Sequence, residues 1–307
     1  MTTVFSTKPF MSPTDASCRR QALAKVQSLA LGLLAWAAFS APVQALQVRV
    51  RPNNPRIGDT LSVVVELDNL AVGDSPTVRM GQKTYPTFMV GPNRFRALLP
   101  STPLDRPGRL VFQVFGEGEV RNIAVWMSDR TFPIQSIWLP PDKESLEGTD
   151  YEFDRVAAFK ELVTSQKFWD GPFLRPHRGP VTTVFGVRRY YNGEFAFNYY
   201  HRGVDYAGET GSPVLAPAAG RVALVGLESN GFELHGNTVG IDHGQGVLSI
   251  FIHLSRVDVK EGDMVQAGQV IGGVGATGAS TGPHLHWGLY VHGKSVDPVP
   301  WRYQGLE

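Results

Sequence analysis

Residues 279–292 read Ala-Ser-Thr-Gly-Pro-His-Leu-His-Trp-Gly-Leu-Tyr-Val-His. From His284 onward the residue character alternates with a period of two, which is the signature of a β-strand that turns one face to a core. His284, His286, Gly288 and Tyr290 share one face, and Leu285, Trp287, Leu289 and Val291 share the other. Side chains two apart on a strand stand roughly 6.6 Å apart, so two imidazoles can serve one metal-centred site. Gly288, next on that face, is expected to leave room for a substrate backbone.

Two earlier stretches offer partners. Tyr200-His201-Arg202-Gly203-Val204-Asp205 contains a histidine and a carboxylate four apart, with glycine content that argues against a helix. A straight strand would hold them some 13 Å apart, so a bend at Gly203 is required for both to reach one ion at about 2.0–2.2 Å. Leu248-Ser249-Ile250-Phe251-Ile252-His253-Leu254 is a third alternating strand. As a neighbour of the first strand it is expected to bring Ser249, Phe251 and His253 onto the face of the paired histidines. His201, Asp205, His253, His284 and His286 are then five candidates for a site in which a catalytic zinc takes three protein ligands and the others handle protons. Spacing does not decide which of His284 and His286 is the ligand.

The chain outside this site is read as mainly β, with Gly 33 and Pro 22 among 307 residues. Residues 46–140, ended by Pro140-Pro141, carry about seven short alternating runs separated by turn residues, at Leu46–Arg51, Thr60–Leu67, Thr77–Met80, Arg94–Leu99, Arg109–Phe115, Val120–Met127 and Phe132–Trp138, predicting an antiparallel β-sandwich of immunoglobulin-like type. Residues 141–172 are a linker in which Thr149-x-x-Glu152 opens a helix running to about Lys167. Residues 173–307 return to short strands and glycines, with strands expected at Thr182–Phe185, Arg221–Gly226, Thr238–Asp242, Leu248–His253, Val270–Gly273 and Leu285–Val291. All eight histidines lie beyond residue 176, the concentration expected of a single histidine-built site. His177, His235, His243 and His292 are read as structural or incidental.

The N-terminus reads as an export signal over residues 1–45. Arg19, Arg20 and Lys25 precede the apolar run Leu29–Phe39, and Val43-Gln44-Ala45 supplies small residues for cleavage. That run is about half of the ~20 residues a spanning helix needs, so no stable transmembrane anchor is expected. The lone Cys18 precedes the run, which leaves the mature chain without thiols and leaves a metal site to His and carboxylate. Charge is balanced, with 29 Lys+Arg against 28 Asp+Glu, and no basic stripe favours nucleic acid.

The three site motifs, His201-x-x-x-Asp205, Phe251-Ile252-His253-Leu254-Ser255 and Gly278-x-x-Thr281-Gly282-Pro283-His284-Leu285-His286-Trp287, resemble the LytM/lysostaphin-type zinc metallopeptidases. The resemblance runs from about Gly179 to Trp301 and includes Val296-Asp297-Pro298. It implies a small, mainly antiparallel β peptidase domain with one Zn2+ per chain, His201, Asp205 and His286 as its ligands, and His253 and His284 as the catalytic pair. It further implies peptidoglycan stem peptides or cross-bridges as substrate and a periplasmic or cell-envelope location. The aromatic loop from Tyr190 to Tyr200 is expected to wall the groove. The alternative is a non-catalytic envelope factor of the same family that activates other cell-wall hydrolases, against which stands the presence of every ligand and both histidines.

Overall fold

The computed structural model describes residues 46–68, 75–138 and 147–303. The export signal, Cys18 and the Pro140-Pro141 boundary lie outside the described residues. No helix among them is long and apolar enough to cross a membrane.

Eight strands come first: β1 (Gln47–Arg51), β2 (Thr60–Glu66), β3 (Thr77–Met80), β4 (Lys83–Pro86), β5 (Phe88–Gly91), β6 (Arg94–Pro100), β7 (Gly108–Gly116) and β8 (Glu119–Met127). They form two antiparallel sheets, ordered β1-β2-β6-β5 and β4-β3-β7-β8. That is the two-sheet strand order of an immunoglobulin-type sandwich with one added edge strand. Val63, Val65, Phe95, Ala97 and Leu99 from one sheet share an apolar cluster with Val78, Tyr85, Phe112 and Val114 from the other. The alternation that predicts the strands is the alternation that fills this core. β4 and β5 have no counterpart in the sequence-based reading. Both are short sheet edges, and β4 ends on a proline that only an edge tolerates.

The segment expected to complete the sandwich, β9 (Ile134–Ile137), does not join it. Its residues are largely exposed and supply no inward apolar face to either sheet. After it comes the helix α1 (Asp150–Lys160), capped by Thr149, whose hydroxyl accepts from the Glu152 amide at 3.1 Å. Only half of the expected capping box forms. The Glu152 carboxylate turns away to accept from the amides of Leu234 and His235. The helix ends at Lys160, short of the Lys167 expected, once Val156 and Phe159 are buried against Leu224, Phe232, Leu248, Ile250 and Tyr290.

The remaining strands are β10 (Val181–Thr183), β11 (Arg188–Tyr191), β12 (Glu194–Phe195), β13 (Gly203–Ala207), β14 (Pro213–Leu215), β15 (Gly220–Gly226) and β16 (Asn237–Gly244), then β17 (Val247–Leu254), β18 (Arg256–Val257), β19 (Met264–Val265), β20 (Val270–Gly273), β21 (His284–Val291) and β22 (Lys294–Val296). An eight-stranded antiparallel sheet runs β10-β13-β21-β17-β16-β15-β19, with β22 paired to β21. The decisive strand of the sequence is thus central, flanked by β13 and β17. Its apolar face, Leu285, Trp287, Leu289 and Val291, is fully buried. Each such large side chain contributes roughly 1.5–3 kcal/mol by leaving water, which pins the register and with it the opposite face.

The described residues, all within Leu46–Glu307, form one compact unit. Trp301 Nε1 donates to Thr60 Oγ1 at 3.2 Å, the Asp297 amide to the Gly58 carbonyl at 2.8 Å, and Arg130 pairs with Asp297 at 2.7 Å. Buried Arg96 on β6 donates to Gln245 at 2.7 Å. β9 adds a different link: it pairs in parallel with β11, register Ile134↔Arg188 to Ile137↔Tyr191.

Candidate metal centre and cleft

β13 and β21 pair so that Asp205 lies opposite His286 and Ala207 opposite His284. Directly opposed residues of a ladder project to the same face, so a carboxylate and two imidazoles share one surface. His201 sits just before β13, which begins at Gly203. Its amide donates to the Val187 carbonyl and its own carbonyl accepts from Gly186, which turns the chain and aims the ring back over Asp205. A Cβ at Gly203 would overlap the Trp287 carbonyl oxygen and His286 Nε2, so close approach of β13 to β21 requires glycine here.

Three ligand-capable atoms converge. His201 Nε2 is 3.0 Å from both Asp205 Oδ1 and His286 Nδ1, and His286 Nδ1 is 2.8 Å from Asp205 Oδ1. His201 Nδ1 donates to the Val184 carbonyl at 2.9 Å, so in the neutral ring Nε2 carries a lone pair. Asp205 Oδ1 carries no hydrogen, and only His286 Nδ1 is left to supply one among three contacts. A buried cluster of lone pairs this close calls for a cation, and ligand atoms around one zinc bonded at about 2.0–2.1 Å stand roughly 3.3 Å apart. Among the described residues His201, Asp205 and His286 form the group with this geometry. Burial by itself raises the Asp205 pKa, yet its close contacts with His201 and His286 outweigh it and hold the carboxyl well below its usual range. Burial pushes His286 down to about 4, which keeps it neutral as a ligand must be.

His253 and His284 flank this group as a second pair, with ring centroids 5.0 Å apart. Each is oriented through Nδ1. His253 donates to the Thr277 carbonyl at 2.8 Å, and His284 to the Gly282 carbonyl at 2.8 Å, with Ser280 Oγ at 3.2 Å. Nε2 of each neutral ring is therefore a free proton acceptor. Burial, reinforced by the nearby His284 and His286, pushes His253 down to about 3.

The route of His253 to the site differs from the sequence-based expectation. β17 pairs with β21 through Ile252↔His286, Ile250↔Gly288 and Leu248↔Tyr290. The parity that shares the histidine face is thus Leu248, Ile250 and Ile252, whereas Ser249 turns to Trp287 Nε1 at 3.2 Å. His253 crosses to the active face because its backbone is left-handed, φ +64°, a departure from the strand period that alternation cannot register. Gly288 also departs from expectation. A Cβ there would meet Ile250 Cγ2 at 3.0 Å and the Arg202 carbonyl at 3.2 Å, so the chain's own atoms take the space reserved for a substrate.

The five residues line one cleft of about 850 Å³, together with Thr183, Arg189, Tyr191, Tyr199, Arg202 and Tyr290. The aromatic loop walls it as expected, through Tyr191 and Tyr199. Tyr200 instead points into the core, where its hydroxyl accepts from Ser295 Oγ at 2.7 Å. Gln135 and Ile137 of β9 complete the same wall, a contribution with no motif to announce it. His235, read as incidental, lines the cleft as well. Its ring nitrogen is 2.6 Å from the buried Glu152 carboxylate, and its carbonyl accepts from the His253 amide at 2.9 Å. His243 is structural as expected, buried between the Ala219 carbonyl and Ser249 Oγ, each at 2.9 Å.

With this geometry in place, the model of peptidase family M23 matches residues 199–298, a span that contains all five site residues. The chain carries a peptidase family M23 domain. The M23 domain is 44% identical over 99 residues to the DD-carboxypeptidase/endopeptidase Mpg of Neisseria meningitidis, covering 32% of this chain and 22% of that one. It is 41% identical over 106 residues to lysostaphin of Staphylococcus staphylolyticus, covering 33% and 22%. The chain spans about a fifth of the length of these curated relatives. The likeness extends beyond the M23 domain in one solved structure, a Pseudomonas aeruginosa protein assigned to peptidase M23, with TM-score 0.57, 28% identity, and coverage of 82% of this chain and 97% of that one.

Proposed function

We propose that this chain is an exported zinc metalloendopeptidase that hydrolyses peptide bonds of bacterial peptidoglycan in the cell envelope. The observation that carries the reading is the convergence of His201 Nε2, Asp205 Oδ1 and His286 Nδ1 within 3.0 Å, with two oriented histidines beside them. His201, Asp205 and His286 would hold the ion. Zinc bound there supplies a Lewis acid that polarises a carbonyl and acidifies water.

The residues of the chain do the rest. His253 Nε2, neutral and held by the Thr277 carbonyl, accepts a proton from the attacking water. His253 then passes that proton to the leaving amine, while His284, held through Nδ1 by the Gly282 carbonyl and carrying a proton on Nε2 for this step, steadies the developing negative charge. Ile250 and Ile252 provide an apolar floor that limits water around the reacting atoms. The relatives support the substrate class: Mpg is named a DD-carboxypeptidase/endopeptidase, and a further relative, ALE-1 of Staphylococcus capitis, a glycyl-glycine endopeptidase.

Zinc content of the purified mature protein, measured together with release of new amino groups from purified peptidoglycan, tests the reading. Stoichiometric zinc with released amines is the expected result. Zinc-loaded protein that releases none refutes the enzyme and leaves the non-catalytic envelope factor in its place.

A further inference from the structure

Among the described residues, two guanidinium groups in the cleft have no ion-pair partner. Arg189 on β11 and Arg202, which follows the candidate ligand His201, both line the cleft that holds the metal group. Both lie against one ring: the Arg189 guanidinium is 5.9 Å and the Arg202 guanidinium 5.8 Å from the centre of Tyr199. Among the described residues neither forms an ion pair. The carboxylate whose charge Arg189 senses is Asp205, and Asp205 is already engaged by two histidines.

The donors of Arg189 are placed rather than loose. Nη1 donates to Tyr191 OH at 3.2 Å and to Tyr199 OH at 3.3 Å, and Nε donates to Gln135 Oε1 at 3.2 Å. These contacts fix the plane of the guanidinium and leave its Nη2 hydrogens without an acceptor among the described residues. Arg202 has no hydrogen bond there at all, and its fork lies exposed at the rim. Two like charges around one phenol repel, and an anion between them relieves the repulsion while satisfying idle donors. A planar fork with paired N–H groups matches a carboxylate in particular.

We propose that Arg189 and Arg202 form a carboxylate-binding subsite of the cleft, so that the peptide it takes carries a free carboxylate beside the bond presented to His253 and His284. The role in selecting a substrate rests on the peptidase reading; the binding of a carboxylate does not. The carboxylate has two sources, the free end of a peptide chain or the side chain of an acidic residue within it.

Ligand-observed NMR titration of the zinc-loaded protein tests the subsite with two probe pairs. One is acetyl-trialanine as acid and as amide; the other is the amidated acetyl tripeptide with glutamate or glutamine at its centre. In at least one pair the carboxylate form binds about tenfold tighter, and Arg189→Gln or Arg202→Gln reduces that ratio to about twofold or less. Discrimination in the first pair assigns a chain-end carboxylate and in the second an internal one. Equal binding within both pairs overturns the proposal. So does a preference that survives both substitutions, since the carboxylate is then held at the metal centre. Arg202 is exposed, so Arg202→Gln carries the test even where Arg189→Gln does not fold. Discrimination without any cleavage of peptidoglycan sinks the peptidase reading and keeps the subsite; cleavage without discrimination does the reverse.

Discussion

Asp205 stands directly across the β13–β21 ladder from His286, its Oδ1 2.8 Å from the imidazole Nδ1. The pairing register therefore decides whether a metal centre exists. His286→Ala and Asp205→Asn are expected to purify with less than about a tenth of the zinc of the parent protein, since each removes one of three ligands. Metal analysis after dialysis reads the result directly, and full occupancy in either variant contradicts the ligand assignment.

His284 lies two residues from His286 on the same face, yet it is predicted to behave oppositely. His284→Ala and His253→Ala should retain zinc and lose about 10²–10⁴-fold in turnover, the usual worth of a positioned acid or base. Zinc loss in His284→Ala equal to that in His286→Ala would show that the roles are misassigned.

Gly203 allows β13 to approach β21 closely, and any side chain there overlaps the Trp287 carbonyl and His286. Gly203→Ala should reduce zinc affinity together with thermal stability. A variant with unchanged melting and unchanged metal content would mean that the strands separate at no cost.

Glu152 is wholly buried and accepts from the Leu234 amide at 3.0 Å, and from the His235 amide and ring at 2.6 Å each. Burial raises its pKa, but the hydrogen bonds, chiefly from the His235 side chain, outweigh this and leave it lowered. A lowered carboxylate stabilises the fold above its unfolded value of 4.5 and loses that contribution as pH falls through the folded value. Glu152→Ala leaves two amides unsatisfied and is expected to cost about 1–3 kcal/mol at pH 7. Urea denaturation should show the gap between parent and variant closing as the pH falls below 4.5, and limited proteolysis should find new cleavage at 231–236.

His243 loses its contribution in the same direction, as pH falls, but over a higher window and from a different cause. Complete burial pushes its pKa from 6.5 down to about 4. Between these values the unfolded chain holds the extra proton, so stability is full above pH 6.5 and falls as pH drops toward 4, by up to roughly 3 kcal/mol. Denaturation midpoints of chelator-treated parent and His243→Gln proteins, measured from pH 7.5 to 4.5, should converge toward the acid end. Parallel curves would contradict the buried neutral histidine.

Much of this fold was legible because its strands are buried on one face. Thr77–Met80 and Val270–Gly273 fall where alternation and turn residues place them, and β21 needed only the apolar run Leu285, Trp287, Leu289 and Val291. The features that escaped prediction share a physical reason: they depend on backbone or on partners remote in sequence. The left-handed turn at His253 breaks a period that sequence can only extend. The Glu152 side chain chose amides eighty residues away over the cap beside it. β9 is paired by a strand that begins fifty residues later, and β4 and β5 are edges with little to bury.

The parallel pairing of β9 with β11 has a bearing on protein engineering. The stretch that matches the M23 family starts at Tyr199, whereas one rim of its cleft is built from Gln135 and Ile137. The matched stretch is therefore not a transferable cassette. A chimera that grafts residues 199–298 onto another scaffold would carry His201, Asp205, His253, His284 and His286 but leave behind both Arg189 and the Gln135 that holds it, so that it would inherit the proposed chemistry without the proposed selectivity.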